Sequence, residues 1–236
     1  MAIMDKHPEG TARDFAAGLN TPQRLLMLGL NYLPLLHGLA IGATVGFAWA
    51  AWPWRLAAGV AVLYVLPPLM ARMVNALAPV PQGRIRVGTR PFFTWWALAN
   101  LQMLFCRLPM LEEVLRLIPG VYSGWLRLWG SHIGRLTYWG AGLRILDRSF
   151  LRIGDEVVFG AAVRLNPHVL ARNEQGELEL LLAPIVVGNR TLVGGYSLLT
   201  AGTEIAAGEC TRACTISPPF SQWANGRRTA RMDGAR

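Results

Sequence analysis

The C-terminal half of this chain advances in six-residue steps, and no other feature restricts its fold as much. Mostly apolar markers stand at Ile133, Trp139 and Ile145, at Ile153, Phe159 and Leu165, and at Val187, Val193, Leu199 and Ile205, closing on a polar Thr211. Glycine follows the marker at Gly134, Gly140, Gly154, Gly160, Gly188 and Gly194. A small or β-branched residue lies four places after it at Thr137, Ser149, Val157, Val163, Val169, Thr191, Ser197, Thr203 and Thr215. A period of six matches neither the roughly 3.6 of a helix nor the roughly 2 of a flat strand. It suits short parallel strands wound into a three-sided prism of about 18 residues per turn, with the marker pointing inward.

Two interruptions break the rhythm. Between Ile145 and Ile153 the phase slips by two residues, at Arg148 to Arg152. Between Leu165 and Val187 there are 22 residues where 6 would continue the pattern, so 16 leave the prism. That excursion, Leu170 to Leu182, begins directly after Asn166-Pro167-His168, and its polar stretch Arg172 to Glu177 reads as a hairpin tip. A prism core has no use for an imidazole, so His168 at the mouth of the loop stands out. An imidazole titrates near neutrality and can take up a proton and return it. His132, ahead of the first coil, reads as a structural or surface residue, and His7 lies in the leader. Glu174, Glu177 and Glu179 belong to the excursion, as acceptor contacts or as solvated side chains.

The N-terminal half has a different character. Apolar residues make up 53 % of the chain and charged residues 16 %, against about a quarter charged in ordinary soluble proteins. Leu28 to Trp52 is 25 residues without a charge, a helix of about 37 Å and long enough to cross a hydrocarbon core of about 30 Å. Leu56 to Ala71 is a second uncharged run of 16 residues, interrupted by Pro67-Pro68. Trp52-Pro53-Trp54 joins them as an interfacial turn. Lys6, Arg13 and Arg24 precede the first run, and Arg72, Arg84, Arg86 and Arg90 follow the second. The positive-inside rule then puts both termini and the prism in the cytoplasm, at the inner membrane. A hairpin that enters without crossing is the alternative. Asn31 and His37, inside the first run, read as helix–helix hydrogen-bonding groups.

Five segments follow: a polar leader (1–24), a transmembrane helical hairpin (25–72), a linker with amphipathic interfacial helices (73–130), the prism (131–216) and a closing segment (217–236). Ala78 to Arg90 reads as a linker. Pro91 to Trp129 reads as helices lying on the leaflet, with a helical collar on the prism as the alternative. Cys106, Cys210 and Cys214 form no disulfide framework and suit a reducing compartment. The net charge of +9 suits a face against anionic lipid. The arginines are scattered and accompany no nucleic-acid-binding motif, so no nucleic-acid partner is expected.

Three stretches carry a family resemblance over about residues 120 to 225. Leu128-Trp129-Gly130 with His132-Ile133-Gly134, Leu165-Asn166-Pro167-His168-Val169, and Ala183-Pro184-Ile185-Val186-Val187-Gly188-Asn189 with Val193-Gly194 resemble the hexapeptide-repeat acyltransferases. The chain is most similar to the membrane-associated branch found as terminal domains of poly-lysine-type peptide synthetases. Pro218-Pro219, Trp223 and Gly226 resemble that family's closing loop, although Arg227-Arg228 stand where the family carries Pro-Ala.

The uncharged runs give an N-terminal α-helical membrane region. The resemblance implies that a left-handed parallel β-helix follows it, assembled as a homotrimer, with a monomer whose helices cover the prism as the alternative. It implies transfer of an acyl group from a thioester donor, coenzyme A or the phosphopantetheine of an acyl or peptidyl carrier protein, to a hydroxyl or amine near a lipid surface. His168 matches the family's catalytic histidine. Asn166 is expected to orient the imidazole or to donate a hydrogen bond. Backbone N–H groups around Gly194, Gly195 and Tyr196 are expected to meet the oxyanion or the donor, with Trp223 and Glu174 as further contacts. No tightly bound cofactor and no metal are expected. A zinc hydratase on the same prism needs three histidines, and the repeat region holds only His132 and His168. A non-catalytic, membrane-anchored assembly platform is the other alternative.

Overall fold

A computed structural model describes residues 18–230; most of the expected leader, with His7, Lys6 and Arg13, lies outside the described residues. Four helices come first: α1 (Thr21–Leu30), α2 (Leu33–Gly46), α3 (Trp52–Tyr64) and α4 (Leu66–Leu77). They form two rods, Thr21–Gly46 and Trp52–Leu77, each of 26 residues and each long and apolar enough to cross a membrane. The boundaries differ from the expected runs because each rod bends at a local defect. Asn31-Tyr32 interrupts the first. In the second, Pro67 and Pro68 bring no N–H to the helix that begins beyond Val65. The Tyr64 carbonyl, which the Pro68 N–H would otherwise reach, takes the Trp125 indole N–H at 2.8 Å.

No residue of α1 or α2 is buried, and large apolar side chains such as Leu35, Leu39, Trp52 and Trp54 face outward. Where the rods turn, Arg55 donates to the Val45 carbonyl at the C-terminal end of α2, a cation placed where the helix dipole favours one. His37 donates from Nε2 to the Val62 carbonyl at 3.0 Å, an interhelical bond of the kind its position suggested.

The segment 78–90 is more than a linker, since it contains β1 (Gly83–Arg86). Beyond it, α5 (Arg90–Arg107), α6 (Met110–Arg116) and α7 (Val121–Leu128) pack on one end of the prism instead of only lying beside it. Phe105, Tyr122, Trp125, Leu126 and Trp129 share one core with Ile133, Ile145 and Ile153. The collar is therefore the arrangement found, although Met110, Val114, Leu117 and Ile118 leave it an exposed apolar outer face.

The prism is built of three parallel sheets. One contains β2 (His132–Ile133), β5 (Leu151–Ile153), β10 (Ile185–Val187), β13 (Glu204–Ile205) and β15 (Ser221–Ala224). The second contains β3 (Tyr138–Trp139), β6 (Val158–Phe159) and β11 (Leu192–Val193). The third contains β4 (Arg144–Ile145), β7 (Arg164–Asn166), β12 (Leu198–Thr200) and β14 (Ile216–Ser217). Markers stack on markers: Ile133 on Ile153, Trp139 on Phe159, Ile145 on Leu165 and Leu165 on Leu199. Thr211 keeps its place in the ladder because its hydroxyl accepts the Gly194 N–H at 3.1 Å.

Where a glycine follows the marker, it is a matter of space. A Cβ on Gly160 would lie 2.4 Å from the Gly195 nitrogen, and one on Gly134 would lie 2.3 Å from the Gly154 carbonyl carbon. Three places after the marker the chain turns a corner with positive φ. Non-glycine residues accept that conformation at Leu136, Glu156, Ala162, Arg190, Tyr196, Cys214 and Phe220, where it is ordinarily disfavoured.

The coil runs past residue 216. β15 pairs in parallel with β13, Trp223 opposite Ile205, and then folds back through Asn225-Gly226 into β16 (Arg227–Ala230). Both turn residues have positive φ, as a tight two-residue hairpin requires. The excursion is a hairpin of β8 (His168–Arg172) and β9 (Leu178–Leu182), so it starts at His168 and Val169 is no part of the repeat. β1 completes a three-stranded antiparallel sheet by pairing with β9. Arg84 and Arg86 pair there with Glu179 and Glu177.

A buried ion pair holds collar to prism. Glu112 of α6 accepts from the Arg148 guanidinium and, at 3.0 Å, from Arg116. Tyr122 adds its hydroxyl at 2.7 Å. Arg148 is 1 % exposed and lies over the Phe105, Trp125 and Trp129 rings. Burial opposes its charge, but the adjacent Glu112 carboxylate more than restores it and raises its pKa. Burial, followed by Glu112, pushes the Tyr122 phenol well above its usual value. Removing one partner of such a pair leaves the other charge buried and alone. Glu112→Gln is therefore expected to lower stability by about 3–5 kcal/mol, measured as a fall in the thermal unfolding midpoint.

Candidate active site

The two interruptions of the repeat fall on one edge of the prism, in successive turns. Ile145 of β4 sits in register with Leu165 of β7, and after each of them the chain departs from the six-residue step. In the first turn the departure is a two-residue bulge. The Leu146 N–H still reaches the Leu165 carbonyl at 3.1 Å, and the Phe150 N–H closes on the Asp147 carbonyl at 3.1 Å. Asp147 and Arg148 are thereby turned toward the collar. Gln102 of α5 accepts the Arg148 N–H at 2.7 Å, and Trp95 donates its indole N–H to Asp147 Oδ1 at 3.0 Å.

In the next turn the departure is the β8–β9 hairpin, whose first residue is His168. Its Nδ1–H donates to Asp147 Oδ2, and its ring meets the Trp95 ring edge-to-face at 4.8 Å. Asp147 is 3 % exposed and His168 22 %. One carboxylate thus holds the indole and the imidazole together, fixing the tautomer with the proton on Nδ1. Among the described residues no group bonds Nε2, which is left as a proton acceptor at the partly open side. Burial works against the imidazolium, but the charge and hydrogen bond of Asp147 outweigh it and hold His168 above the ordinary imidazole range.

The wall behind this group is the small sheet and the start of α5. Ile85, Phe92, Trp95, Leu180 and Leu182 form a separate buried cluster. The Trp96 ring stands 5.7 Å from that of Trp95, and its indole N–H donates to Asn31 Oδ1 at 2.9 Å. The hairpin helices are in this way joined to the aromatic wall of the imidazole site.

The other expected site residues are not gathered here. Asn166 is half-buried on β7 opposite Thr200, two residues from His168, but the partner that holds the imidazole is Asp147. Gly194, Gly195 and Tyr196 turn a different edge of the prism, between β11 and β12. The Gly194 N–H is donated to Thr211 and the Tyr196 N–H to the Ala161 carbonyl at 2.8 Å, so both are committed to the coil. Trp223 packs against the end of the core and donates to Ser217 Oγ at 2.8 Å. Glu174 is exposed at the tip of the β8–β9 hairpin. His132 is exposed on the first coil. Among the described residues no three metal-binding side chains come together.

Asp147 and Trp95 escaped the sequence reading. The signal for Asp147 was the phase slip itself, which marks residues expelled from the prism. For Trp95 there was none, because it falls in an unbroken apolar helix.

No family profile matches the chain, and no curated protein matches it. Among solved structures it is similar to a maltose O-acetyltransferase from Clostridium difficile 630, at 17 % identity over 56 % of this chain and 87 % of that one, with a TM-score of 0.35. It is also similar to a hexapeptide-repeat acetyltransferase from Vibrio cholerae complexed with acetyl coenzyme A, at 15 % identity over 56 % and 87 %, with a TM-score of 0.36. A galactoside acetyltransferase in complex with coenzyme A matches at 12 % identity over 53 % and 80 %, with a TM-score of 0.30. Likenesses this distant transfer neither substrate nor activity.

The Asp147–His168 pair makes a direct prediction. Titration of the His168 imidazole by NMR is expected to give a pKa above the usual value of about 6.5, falling in Asp147→Asn. Because the folded-state pKa is raised, the pair's stabilisation is complete below about pH 6.5 and is lost as pH rises through the raised value.

Proposed function

We propose that this chain is a membrane-bound acyltransferase of the hexapeptide-repeat type. The observation that carries the reading is the indole–carboxylate–imidazole chain Trp95–Asp147–His168. It leaves an unbonded imidazole nitrogen, with its tautomer set, on a half-open edge of the prism. A buried carboxylate behind a histidine is the usual arrangement for a general base, since it orients the ring and stabilises the imidazolium that forms.

In this reading His168 Nε2 removes the proton from an acceptor hydroxyl or amine as that atom attacks a thioester carbonyl. The tetrahedral adduct collapses with cleavage of the C–S bond. The thiolate leaves and takes the proton back from the imidazolium, giving an ester or amide and a free thiol. The thioester is that of coenzyme A or of a carrier-bound phosphopantetheine, and nothing else is consumed. Asn166, two residues before His168 on β7, is assigned to the imidazole as an orienting group or to the acceptor as a hydrogen-bond donor.

Two further features belong to the proposal. The prism is a left-handed coil, and its exposed outer residues Tyr138, Val158 and Leu192, aligned across β3, β6 and β11, are the face that a homotrimer covers. The apolar rods insert in the cytoplasmic membrane, with the prism and both termini on the cytoplasmic side. Support comes from the unburied apolar surface of α1 and α2 and from the arginines that flank the rods.

The test is thiol release from acyl-coenzyme A and acyl-carrier thioesters, with a panel of hydroxyl- and amine-bearing acceptors. His168→Ala is expected to lower turnover by at least about 100-fold while the chain stays folded and membrane-associated. Near-normal turnover in that variant removes His168 as the base, whereas no thiol release by the wild type with any donor and acceptor leaves an assembly platform as the reading.

A further inference from the structure

The short helix α6 carries apolar residues on two sides. Leu111 and Leu115 pack inward on the core that the collar shares with the prism. Met110, Val114 and Leu117 recur at helical spacing on another side and are exposed, Leu117 at 79 %. Leu108 and Ile118 extend this face at either end. The charged residues of α6 turn away from it. Glu112 and Arg116 are buried against each other, and Glu113 pairs with Arg116 and accepts the Gly142 N–H of the prism at 2.9 Å. Because α6 helps to cap the prism, its outer face looks away from the prism.

The height of α6 beside the hairpin is set by hydrogen bonds. The Tyr64 hydroxyl donates to the Leu111 carbonyl at 2.9 Å, and the Trp125 indole N–H to the Tyr64 carbonyl. Tyr64 stands at the middle of the second rod, Trp52–Leu77. Its distance from the Trp52 end is about 18 Å along the helix. The first rod agrees, since the His37 ring lies 6.4 Å from that of Phe105, near the end of α5. A hydrocarbon core is about 30 Å thick, so a hairpin whose tip reaches only the midplane is immersed for about 15 Å. That brings the leaflet to within one helical turn of Tyr64, and deeper insertion passes it. α6 meets the leaflet in both cases. Arg107, exposed at the end of α5, is placed at the rim of the apolar face, where a long cationic side chain reaches lipid phosphates.

We infer that the outer face of α6 is a second membrane contact, sunk into the leaflet that the hairpin enters, so that the prism is held at two points and does not pivot about the hairpin. A helix on such a surface lies with its apolar face about 5–10 Å into the boundary of head groups and acyl chains. The inference rests on insertion of the rods and is independent of acyl transfer. It uses none of Tyr138, Val158 and Leu192, the face assigned to a homotrimer.

The experiment uses the full chain in nanodiscs of phosphatidylethanolamine and phosphatidylglycerol, with Cys106→Ala, Cys210→Ser and Cys214→Ser. A nitroxide is attached in turn at Leu39→Cys on the hairpin, at Val114→Cys and Leu117→Cys on α6, and at Arg152→Cys on the prism. Collisions with oxygen, which concentrates in hydrocarbon, are compared with collisions with a water-soluble nickel chelate. Both α6 positions are expected to favour oxygen, as Leu39 does, and Arg152 to favour nickel. The cysteine substitutions are avoided in a second measurement, photolabelling of the wild type by phosphatidylglycerol with a diazirine in its acyl chain. Label is expected within residues 108–118 and is lost from them in Val114→Glu/Leu117→Glu, while α2 and α3 stay labelled.

Nickel access at Val114 and Leu117 with Leu39 in lipid, or no label within residues 108–118 of the wild type, overturns the α6 contact and leaves the hairpin inserted. Shielding of the α6 positions from both reagents overturns it in favour of protein covering the face, and dipolar broadening between nitroxides then identifies a second copy. Nickel access at Leu39 overturns it through failure of rod insertion.

Discussion

The buried Glu112–Arg148 pair is the constraint on which the rest of the molecule depends. Arg148 belongs to the bulge in the prism and Glu112 to the collar, and each is too costly to bury without the other. Apolar residues of similar volume would hold the two parts together about as well. What they would not do is fix which residue of the prism meets which helix. With Arg148 held by Glu112 and Gln102, its neighbour Asp147 has one place to go, beside the Trp95 indole.

The geometry of the candidate site follows from a coincidence of register. A regular prism offers three smooth faces and edges of repeated backbone, with no place for a buried carboxylate. Two irregularities stacked on one edge supply it: the bulge contributes the acid and the excursion contributes the imidazole. Both breaks are legible as breaks in a six-residue count. That they share an edge is also legible, since Ile145 and Leu165 are the third marker in successive turns. Which residue at the slip holds the imidazole was not legible, because a count of six shows where the chain leaves the prism and not which of Asp147, Arg148 and Ser149 turns toward His168.

Other parts were out of reach for definite reasons. β1 is four residues, Gly-Arg-Ile-Arg, with Ile85 alone pointing into a core, and its partner strand lies 95 residues further on at the Arg84–Glu179 pair. No local pattern distinguishes such a strand from a linker. The collar was ambiguous because α6 is apolar on both sides: Leu111 and Leu115 pack inward while Met110 and Val114 face out. The bend at Pro67-Pro68 was readable from the prolines. The break at Asn31-Tyr32 has a local cause of the same kind, since Pro34 at the start of α2 brings no N–H to the helix. The glycines that follow six of the markers were readable as a pattern, whereas their reason, backbone atoms of the next turn within 2.7 Å of an added Cβ, exists only in three dimensions.

The small sheet also imposes an order of events on the growing chain. β1 is made before the collar, the bulge and the whole prism, yet among the described residues its only strand neighbour is β9. Throughout that interval the hairpin helices are complete and β1 trails from them as an unpaired edge. It can be covered only when Leu178–Leu182 has been synthesised and the prism has wound far enough to bring it round. The imidazole strand, the carboxylate and the indole wall therefore come together late, in a step that joins residues 83–86 to residues 178–182.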